Sequence, residues 1–259
     1  MVASIKEVKL TAQQQRVLKL LFKFRFVSAQ LLAQVIGISR FSVYEVLEYL
    51  VKQNLVTKVY KSEYRLHGRP AYYYLNKTGV TTVRKLMDVK ESVIHALYKN
   101  DQATDDYVQH CLKLIALYNY LLSTLPDGTD IFTKSEINRL RYFPKNRPDL
   151  YIRTPDDKEA MIVLADDKAP YIIRKRLDEI ITHSEDEGWD GDYPKICFVL
   201  ADTKAKYSFL YSTNKTLDSM GFDEDEISIL ATSLKDIQNK QRLLWSNAFN
   251  PKRYVNLFE

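Results

Sequence analysis

Apolar residues in the first third of the chain recur at helical spacing in three successive segments. The first segment follows Thr11, a good N-cap residue, and the second, shorter segment follows Ser28. Gly37 breaks the pattern, and Ser39 precedes a third segment whose apolar residues fall at i, i+3, i+4, i+7 and i+8. Two helices joined by a tight turn that contains glycine are typical of a helix-turn-helix motif.

Two β-rich runs follow the third predicted helix, and a basic loop separates them. The runs are LVTKVY and PAYYYL, and the loop is KSEYRLHGR. They predict the two strands and the loop of a wing, followed by a helix near residues 80–87. The three tyrosines at 72–74 are predicted to be strand and core residues. The N-terminal segment therefore predicts a winged helix-turn-helix domain.

Residues 91–125 are mostly helical in period and end at the turn sequence PDG at 126–128. A polar break at 101–106 contains Thr104, which is a candidate N-cap. We place the domain boundary near residue 100. Residues 1–100 then form the winged-helix domain with its connecting helix, and residues 101–259 form a second domain.

Strand and helix patterns alternate in the second domain. This alternation, with a hairpin near its start, predicts a mixed α/β fold with the order αβββαβ. The predicted elements are a strand or short helix at 131–140, strands at 150–154 and 160–165, a helix at 171–184, a strand at 195–201, a helix at 203–212, a strand at 227–231 and a C-terminal helix.

Positive charge is concentrated near the N-terminus. Residues 1–90 hold 16 Lys or Arg against 5 acidic residues, a net charge of +11, whereas the rest of the chain holds 22 against 28, a net charge of −6. This asymmetry is typical of a protein in which one domain binds a polyanion, most simply nucleic acid. The alternative is a winged helix that binds protein and whose basic residues only keep it in solution.

The outward side of the third helix and the basic loop supply the candidate contacts to double-stranded DNA. Helix residues would reach base edges or phosphates in the major groove, and loop residues would contact the backbone or the minor groove. The helix candidates are Ser39, Arg40, Ser42, Tyr44 and Glu45, and the loop candidates are Lys61, Arg65, His67 and Arg69.

Several protein classes are excluded by composition. Cys111 and Cys197 are the two cysteines of the chain, so we expect neither a disulfide framework nor a cysteine-based zinc site. No signal-peptide pattern is present, and no apolar run approaches the roughly 20 residues of a membrane helix. We expect a soluble, cytoplasmic protein. Without a glycine-rich phosphate loop, ATP-driven chemistry is not expected.

Acidic residues and a lysine flank the predicted hairpin. Its turn would bring Asp149 and Asp166 to one end, and strand alternation would point Asp166 and Lys168 to one face and Asp167 to the other. Two carboxylates can hold Mg²⁺ or Mn²⁺, and the bound cation lowers the pKa of a water molecule. A lysine can orient that water or stabilise charge on phosphorus. The grouping suits phosphodiester cleavage.

The same short patterns occur elsewhere in the chain. Pro-Asp recurs at 126–127 and 155–156, and a carboxylate-x-Lys triplet recurs at 7–9, 156–158 and 202–204. Asp202 with Lys204 is the strongest rival, because this pair also follows an apolar run. Charged residues just past a strand are also ordinary surface chemistry. The active-site and surface interpretations are both open on the motif alone.

The whole chain resembles the replication-relaxation family and related MobC-type plasmid relaxases, in which a winged helix precedes a restriction-endonuclease-like, or PD-(D/E)XK, domain. The resemblance implies that Asp149, Asp166 and Lys168 are metal-binding and catalytic residues, and that Glu136 is the additional acidic residue of the first core helix. The family usually has Glu where this chain has Asp166. The matching segments are GRPAYYYLNKTGV, SEINRL at 135–140, RPDLYI at 147–152, MIVLADDK at 161–168 and RKRL at 174–177.

We therefore expect a relaxase-like protein of a mobile element that binds an origin of transfer or replication and nicks one strand. Asp149 and Asp166 would hold Mg²⁺ or Mn²⁺, and Lys168 would place the nucleophile, which is either water or a tyrosine. Relaxosome or replication proteins and a second copy of the chain are compatible partners. One alternative is a non-enzymatic DNA-binding accessory protein or regulator with an inactive nuclease fold. Another is a metal-independent replication initiator.

Overall fold

The computed structural model describes residues 9–66, 68–87, 91–137, 142–185, 189, 191–238 and 245–258. The chain divides into two compact units, Met1–Asn119 and Tyr120–Glu259, here called unit 1 and unit 2. The division falls inside the long helix α7, whereas the boundary predicted from the sequence lies just before that helix.

Unit 1 is a winged helix-turn-helix. Helices α1 to α3 are followed by a wing, and a three-stranded antiparallel sheet has the order β1–β3–β2. In chain order the elements are α1 (Ala12–Phe24), β1 (Val27–Ser28), α2 (Ala29–Ile36), α3 (Arg40–Lys52), β2 (Val56–Val59), α4 (Ser62–Leu66), β3 (Tyr72–Leu75), α5 (Lys77–Leu86), α6 (Glu91–Leu97), a 3₁₀ turn (Asn100–Gln102) and α7 (Asp105–Thr124).

Side-chain caps begin these helices where the sequence predicted them. Thr11, Ser28 and Ser39 each accept a hydrogen bond from the backbone N–H of the third residue of the helix that they precede. Thr104 does the same at the start of α7. Gly37 ends α2 in the left-handed conformation, with φ of 76°. The predicted helix-turn-helix is confirmed.

Apolar side chains of α1, α2, α3 and β3 form the core of unit 1. Val43, Leu47 and Leu50 of α3 are fully buried, as their helical spacing predicted. Tyr73 is also fully buried, and Tyr72 is nearly so. The prediction that these tyrosines are strand and core residues is confirmed.

Unit 2 is built on a seven-stranded mixed sheet with the order β10–β9–β8–β7–β6–β5–β4. The central strands β6, β7 and β8 are parallel, and the flanking pairs are antiparallel. Apart from the short helix α8, the elements from α7 to β7 follow the predicted order αβββαβ, and the mixed α/β class is confirmed. The elements are β4 (Asp130–Thr133), α8 (Lys134–Ile137), β5 (Leu150–Arg153), β6 (Glu159–Leu164), α9 (Pro170–Glu185), β7 (Lys195–Leu200), α10 (Thr203–Met220), β8 (Ile229–Ser233), α11 (Leu234–Gln238), β9 (Trp245–Asn247) and β10 (Tyr254–Val255).

Helices α9 and α10 pack against one face of this sheet. Ile173 and Leu177 of α9 and Phe209 of α10 belong to one buried cluster with Val163 and Phe198 of the central strands. The right-handed crossovers of parallel strands require such helices to cover the sheet. The amino ends of both helices therefore lie beyond the carboxyl ends of β6 and β7.

The C-terminal part differs from the prediction. The predicted C-terminal helix is present as α11 (Leu234–Gln238), residues 239–244 lie outside the described residues, and the strand pair β9–β10 follows. Strand β9 pairs with β8 and carries the fully buried Trp245. Strands of two or three residues are too short to show a period of two in the sequence. Helix α10 also continues to Met220 rather than residue 212, and Leu217 extends its buried stripe.

None of the helices within the described ranges is both long enough and apolar enough to cross a membrane. A membrane-spanning helix needs about 20 predominantly apolar residues. Helix α7 has 20 residues, but it begins with Asp105 and Asp106.

Candidate functional site

The amino end of α3 gathers four of the predicted DNA contacts. The Ser39 hydroxyl accepts the Ser42 backbone N–H at 3.0 Å and lies 2.8 Å from the Ser42 hydroxyl. Arg40 donates to the Tyr44 hydroxyl at 2.8 Å, and its guanidinium carbon lies 5.2 Å from the centre of that ring. Ser39 and Arg40 are exposed. Tyr44 therefore holds a solvent-facing arginine at the positive end of the helix dipole.

Phe41 belongs to the same surface, although it was not among the predicted contacts. Its side chain is 71% exposed, which leaves a large apolar group in water. Full burial of such a side chain is worth about 1.5–3 kcal/mol, so a partner that covered Phe41 would gain part of this free energy. The helical period could have identified this position, because Phe41 lies off the buried stripe that begins at Val43.

The predicted wing contacts have different surroundings. The Lys61 ammonium forms an ion pair with Asp105 at 3.2 Å, and the hydrogen bond to Asp105 raises the pKa of Lys61. Arg69 is exposed, and its backbone N–H donates to the Tyr64 carbonyl. A phosphate would compete with Asp105 for Lys61 but would meet Arg69 directly. The side chain of Arg65 and all of His67 lie outside the described residues.

The wing segment is not a plain loop between β2 and β3. Ser62–Leu66 form the short helix α4, which the sequence pattern did not predict. Tyr64 of this helix is buried against Tyr72, with 6.2 Å between the ring centres. The base of the wing is therefore anchored by an aromatic contact, and Arg69 follows the anchored part.

The hairpin that carries the predicted acidic site is present in unit 2. Strands β5 and β6 are antiparallel, with Leu150 opposite Ile162. The Asp149 backbone N–H extends the ladder by donating to the Ile162 carbonyl at 2.8 Å. Because Asp149 precedes β5 and Asp166 follows β6, the two residues leave the sheet at the same end, as predicted.

The predicted alternation of Asp166, Asp167 and Lys168 is wrong. Strand β6 ends at Leu164, and the next residues form a turn in which the Lys168 N–H donates to the Ala165 carbonyl at 3.3 Å. Side chains alternate between faces only while the backbone is extended. The Lys168 ammonium instead forms an ion pair with the Asp167 carboxylate at 2.9 Å.

Asp149 is 6% exposed, and its carboxylate contacts a backbone amide and a guanidinium. Its Oδ2 accepts the Leu164 backbone N–H at 2.8 Å and lies 3.6 Å from Nη1 of Arg176. Arg176 also donates to the Arg147 carbonyl at 2.6 Å. One guanidinium thus joins helix α9 to the segment that enters β5.

The Lys134 ammonium also lies in the field of the Asp149 carboxylate. Desolvation lowers the pKa of the Lys134 ammonium, the charge of Asp149 opposes this shift, and Arg176 and Arg147 add to it. The Asp149 carboxylate therefore has Arg176 and Lys134 as cationic neighbours. Divalent cations bind where oxygen ligands supply negative charge. A divalent cation at Oδ2 of Asp149 would have to compete with Arg176 for that oxygen.

Two other acidic candidates act as helix caps. Glu136 Oε2 accepts both the backbone N–H and the hydroxyl of Thr133, at 2.7 and 2.9 Å, as in a capping box for α8. Asp202 accepts the Ala205 N–H at 2.9 Å and caps α10, and this hydrogen bond lowers the pKa of Asp202. Helix capping therefore explains the rival pair of Asp202 and Lys204.

Asp166 and Lys168 line a cavity of about 200 Å³ between α9 and α10. Asp149 is not among the described residues that line it. The hairpin thus brings the three predicted catalytic residues to one end of the sheet, but Asp149 is engaged by Arg176 while the other two face the cavity. Their assignment to metal binding and catalysis stays a prediction.

No protein-family model matches the chain, and no curated protein matches it. Among solved structures, the chain is similar to a variant of ZitR from Lactococcus lactis. The two are 18% identical, the match covers 48% of this chain and 80% of that chain, and the TM-score is 0.28. The adhesin competence repressor AdcR from Streptococcus pyogenes gives 20% identity, 46% and 69% coverage, and a TM-score of 0.25. A third similar structure is TrmBL2, described as an archaeal chromatin protein with a novel mode of DNA binding. It is 15% identical, the match covers 88% of this chain and 74% of that chain, and the TM-score is 0.24. Similarity at this level does not transfer a function to this chain.

Proposed function

We propose that the protein binds double-stranded DNA through unit 1, with the amino end of α3 in the major groove. The observation that carries the proposal is the joint exposure of Arg40 and Phe41 at the start of α3. This surface lies in a segment, residues 1–90, with a net charge of +11. At a helix amino end, a cation can contact phosphates or guanine, hydroxyls can contact phosphates or base edges, and an aromatic ring can contact a thymine methyl group.

Each of these groups has a distinct role in the proposed complex. Arg40 is held by Tyr44 before binding, so less side-chain entropy is lost when it meets a phosphate or a guanine. The Ser39 and Ser42 hydroxyls share one hydrogen bond, which leaves one hydroxyl proton for a phosphate oxygen. Phe41 would make apolar contact with a thymine methyl group, a contact that distinguishes thymine from cytosine.

Metal-dependent nicking of an origin site is a second candidate function. It is supported by the hairpin that brings Asp149 and Asp166 to the same end of the sheet, close in sequence to Lys168. The ion pair between Asp149 and Arg176 opposes it. We therefore favour a DNA-binding accessory protein or regulator. Three finer points stay predictions: an origin sequence as the target, relaxosome or replication proteins as partners, and bound Mg²⁺ or Mn²⁺.

Selection of bound duplexes from a random library tests the proposal. We expect enrichment of a thymine-containing sequence by the wild-type chain and loss of the thymine preference in Phe41→Ala. Failure to enrich any sequence, together with no salt-dependent binding to duplex DNA, would overturn the proposal.

The second candidate is tested with the selected sequence. A supercoiled plasmid carrying that sequence is incubated with the wild-type chain, with and without Mg²⁺ or Mn²⁺. We expect no open-circular product in either case. A product that needs the metal and disappears in Asp166→Asn would establish the nickase instead, and Asp178→Asn, at an exposed position of α9, is the matched control for the loss of one carboxylate.

A further inference from the structure

A buried aromatic contact joins helix α7 to the base of the wing. Tyr64 of α4 and Tyr72 of β3 belong to one buried cluster with Val108 and Cys111 of α7. Side chains packed in this way have little freedom to move, because protein interiors are packed about as densely as organic crystals. The amino end of α7 is therefore held beside the wing within unit 1.

This packing brings a carboxylate to a lysine of the wing. Lys61 lies three residues before Tyr64, and Asp105 lies three residues before Val108. The Lys61 ammonium donates to Oδ1 of Asp105 at 3.2 Å and lies 5.7 Å from the centre of the Tyr64 ring. Burial raises the pKa of the Tyr72 hydroxyl, and the charge of Asp105 raises this pKa further. The field of the Asp105 carboxylate thus reaches the wing sheet as well as Lys61.

The Asp105 carboxylate makes the bond that a DNA phosphate would make. Carboxylate and phosphate oxygens both accept short, charge-assisted hydrogen bonds from an ammonium group. The side chains of Lys61 and Asp105 are 47% and 54% exposed, so a phosphate can reach the ammonium without unfolding the wing. A phosphate contact from Lys61 would therefore replace the bond to Asp105 rather than add to it.

We propose that the ion pair between Asp105 and Lys61 is an autoinhibitory contact that lowers the affinity of unit 1 for duplex DNA. This inference rests on the proposed binding of DNA through unit 1. Exposed ion pairs are weak and are screened by salt, so the contact should lower the affinity several-fold rather than by orders of magnitude. The reduction should also shrink as the salt concentration rises.

Fluorescence anisotropy of the full chain with a fluorescein-labelled, mixed-sequence duplex tests this contact. Asp105→Asn is compared with Asp106→Asn, because both variants lose one exposed carboxylate from the first turn of α7. We expect Asp105→Asn to bind about fivefold more tightly than the wild type, and Asp106→Asn no more than about twofold. Equal effects of the two variants, or weaker binding by Asp105→Asn, would overturn the proposal.

Removal of the lysine assigns the effect to the ion pair. In a Lys61→Gln background, Asp105→Asn should tighten binding no more than Asp106→Asn does, because no ammonium is left to release. A fivefold gain that persists in this background would trace the effect to repulsion between Asp105 and DNA, and would refute the contact. If Asp105→Asn reduces folding, Asp105→Ser, with another small neutral side chain, replaces it.

The same titrations separate this inference from the proposed function. If the wild-type chain does not bind the duplex, the proposed function is contradicted and this inference is overturned with it. If the wild type binds and Asp105→Asn equals Asp106→Asn, this inference alone is contradicted.

Discussion

Arg176 of helix α9 holds the Asp149 carboxylate, with 3.6 Å between Nη1 and Oδ2. Both side chains are largely buried, and the carboxylate also accepts the Leu164 backbone N–H. This relationship assigns a structural task to a residue whose sequence context suggested metal binding. The two roles make opposite predictions for stability.

We expect Asp149→Asn to lower the free energy of unfolding by about 3 kcal/mol, because it leaves a buried arginine without its counter-ion. Asparagine can still accept the Leu164 N–H, so the effect reports the charge. Urea denaturation without metal measures it, and Asp167→Asn is the control. A more stable Asp149→Asn variant would contradict the structural role, since two carboxylates that share a metal site repel each other when the metal is absent.

Substitutions of Ser39 distinguish its role as a helix cap from its proposed role in DNA binding. Ser39→Ala should lower the free energy of unfolding by about 1 kcal/mol through loss of the N-cap. Ser39→Asp keeps a capping oxygen, so its stability should equal that of the wild type, but its negative charge should weaken binding to duplex DNA. Chemical denaturation and DNA titration of both variants give the comparison. Wild-type affinity in Ser39→Asp would place the DNA elsewhere.

Gly79 of α5 is required by close backbone packing. A Cβ atom at this position would lie 1.9 Å from the Leu55 carbonyl oxygen, which accepts the Asn76 N–H and cannot easily move. We expect Gly79→Ala to destabilise unit 1 by about 3 kcal/mol or more. Thermal unfolding followed by circular dichroism measures the change. The control is Lys77→Ala, an exposed position of the same helix, and equal midpoints for the two variants would contradict this packing.

The Asp202 cap makes the free energy of unfolding depend on pH in the acidic range. Its bond from the Ala205 N–H lowers its pKa in the folded chain below the ordinary value of 3.8. The stabilisation is therefore present above pH 3.8 and is lost as the pH falls through the lowered folded pKa. Asp202→Asn keeps a cap that does not titrate. Urea unfolding at several pH values gives the free energy of unfolding of the wild type and the variant. As the pH falls, the wild type should lose more of this free energy than the variant does. A difference that is independent of pH would exclude this linkage.

Local features of the fold could be predicted from the sequence because they depend on neighbouring residues. Thr11, Ser28 and Ser39 cap helices through bonds to residues three positions away, and the buried stripe of α3 follows from its period. The αβββαβ order follows in the same way from alternating strand and helix patterns. Strand β9 was missed because three residues show no period, and its burial depends on pairing with β8.

The candidate sites were less predictable because they depend on tertiary contacts. The sequence placed Asp149 and Asp166 at one end of the hairpin, but nothing local indicated that Arg176 would engage Asp149. The alternation argument failed where β6 ends at Leu164 and a turn begins.

The most direct test of the central claim is the salt dependence of duplex DNA binding, measured by fluorescence anisotropy for the wild type, Arg40→Gln and Lys52→Gln. Both variants lose one charge from α3, but Lys52 lies at the opposite end of the helix from Arg40. If the amino end of α3 contacts the duplex, Arg40→Gln should reduce the log–log salt slope by about one unit, and Lys52→Gln should not change it. Equal slopes for the wild type and Arg40→Gln would contradict the account.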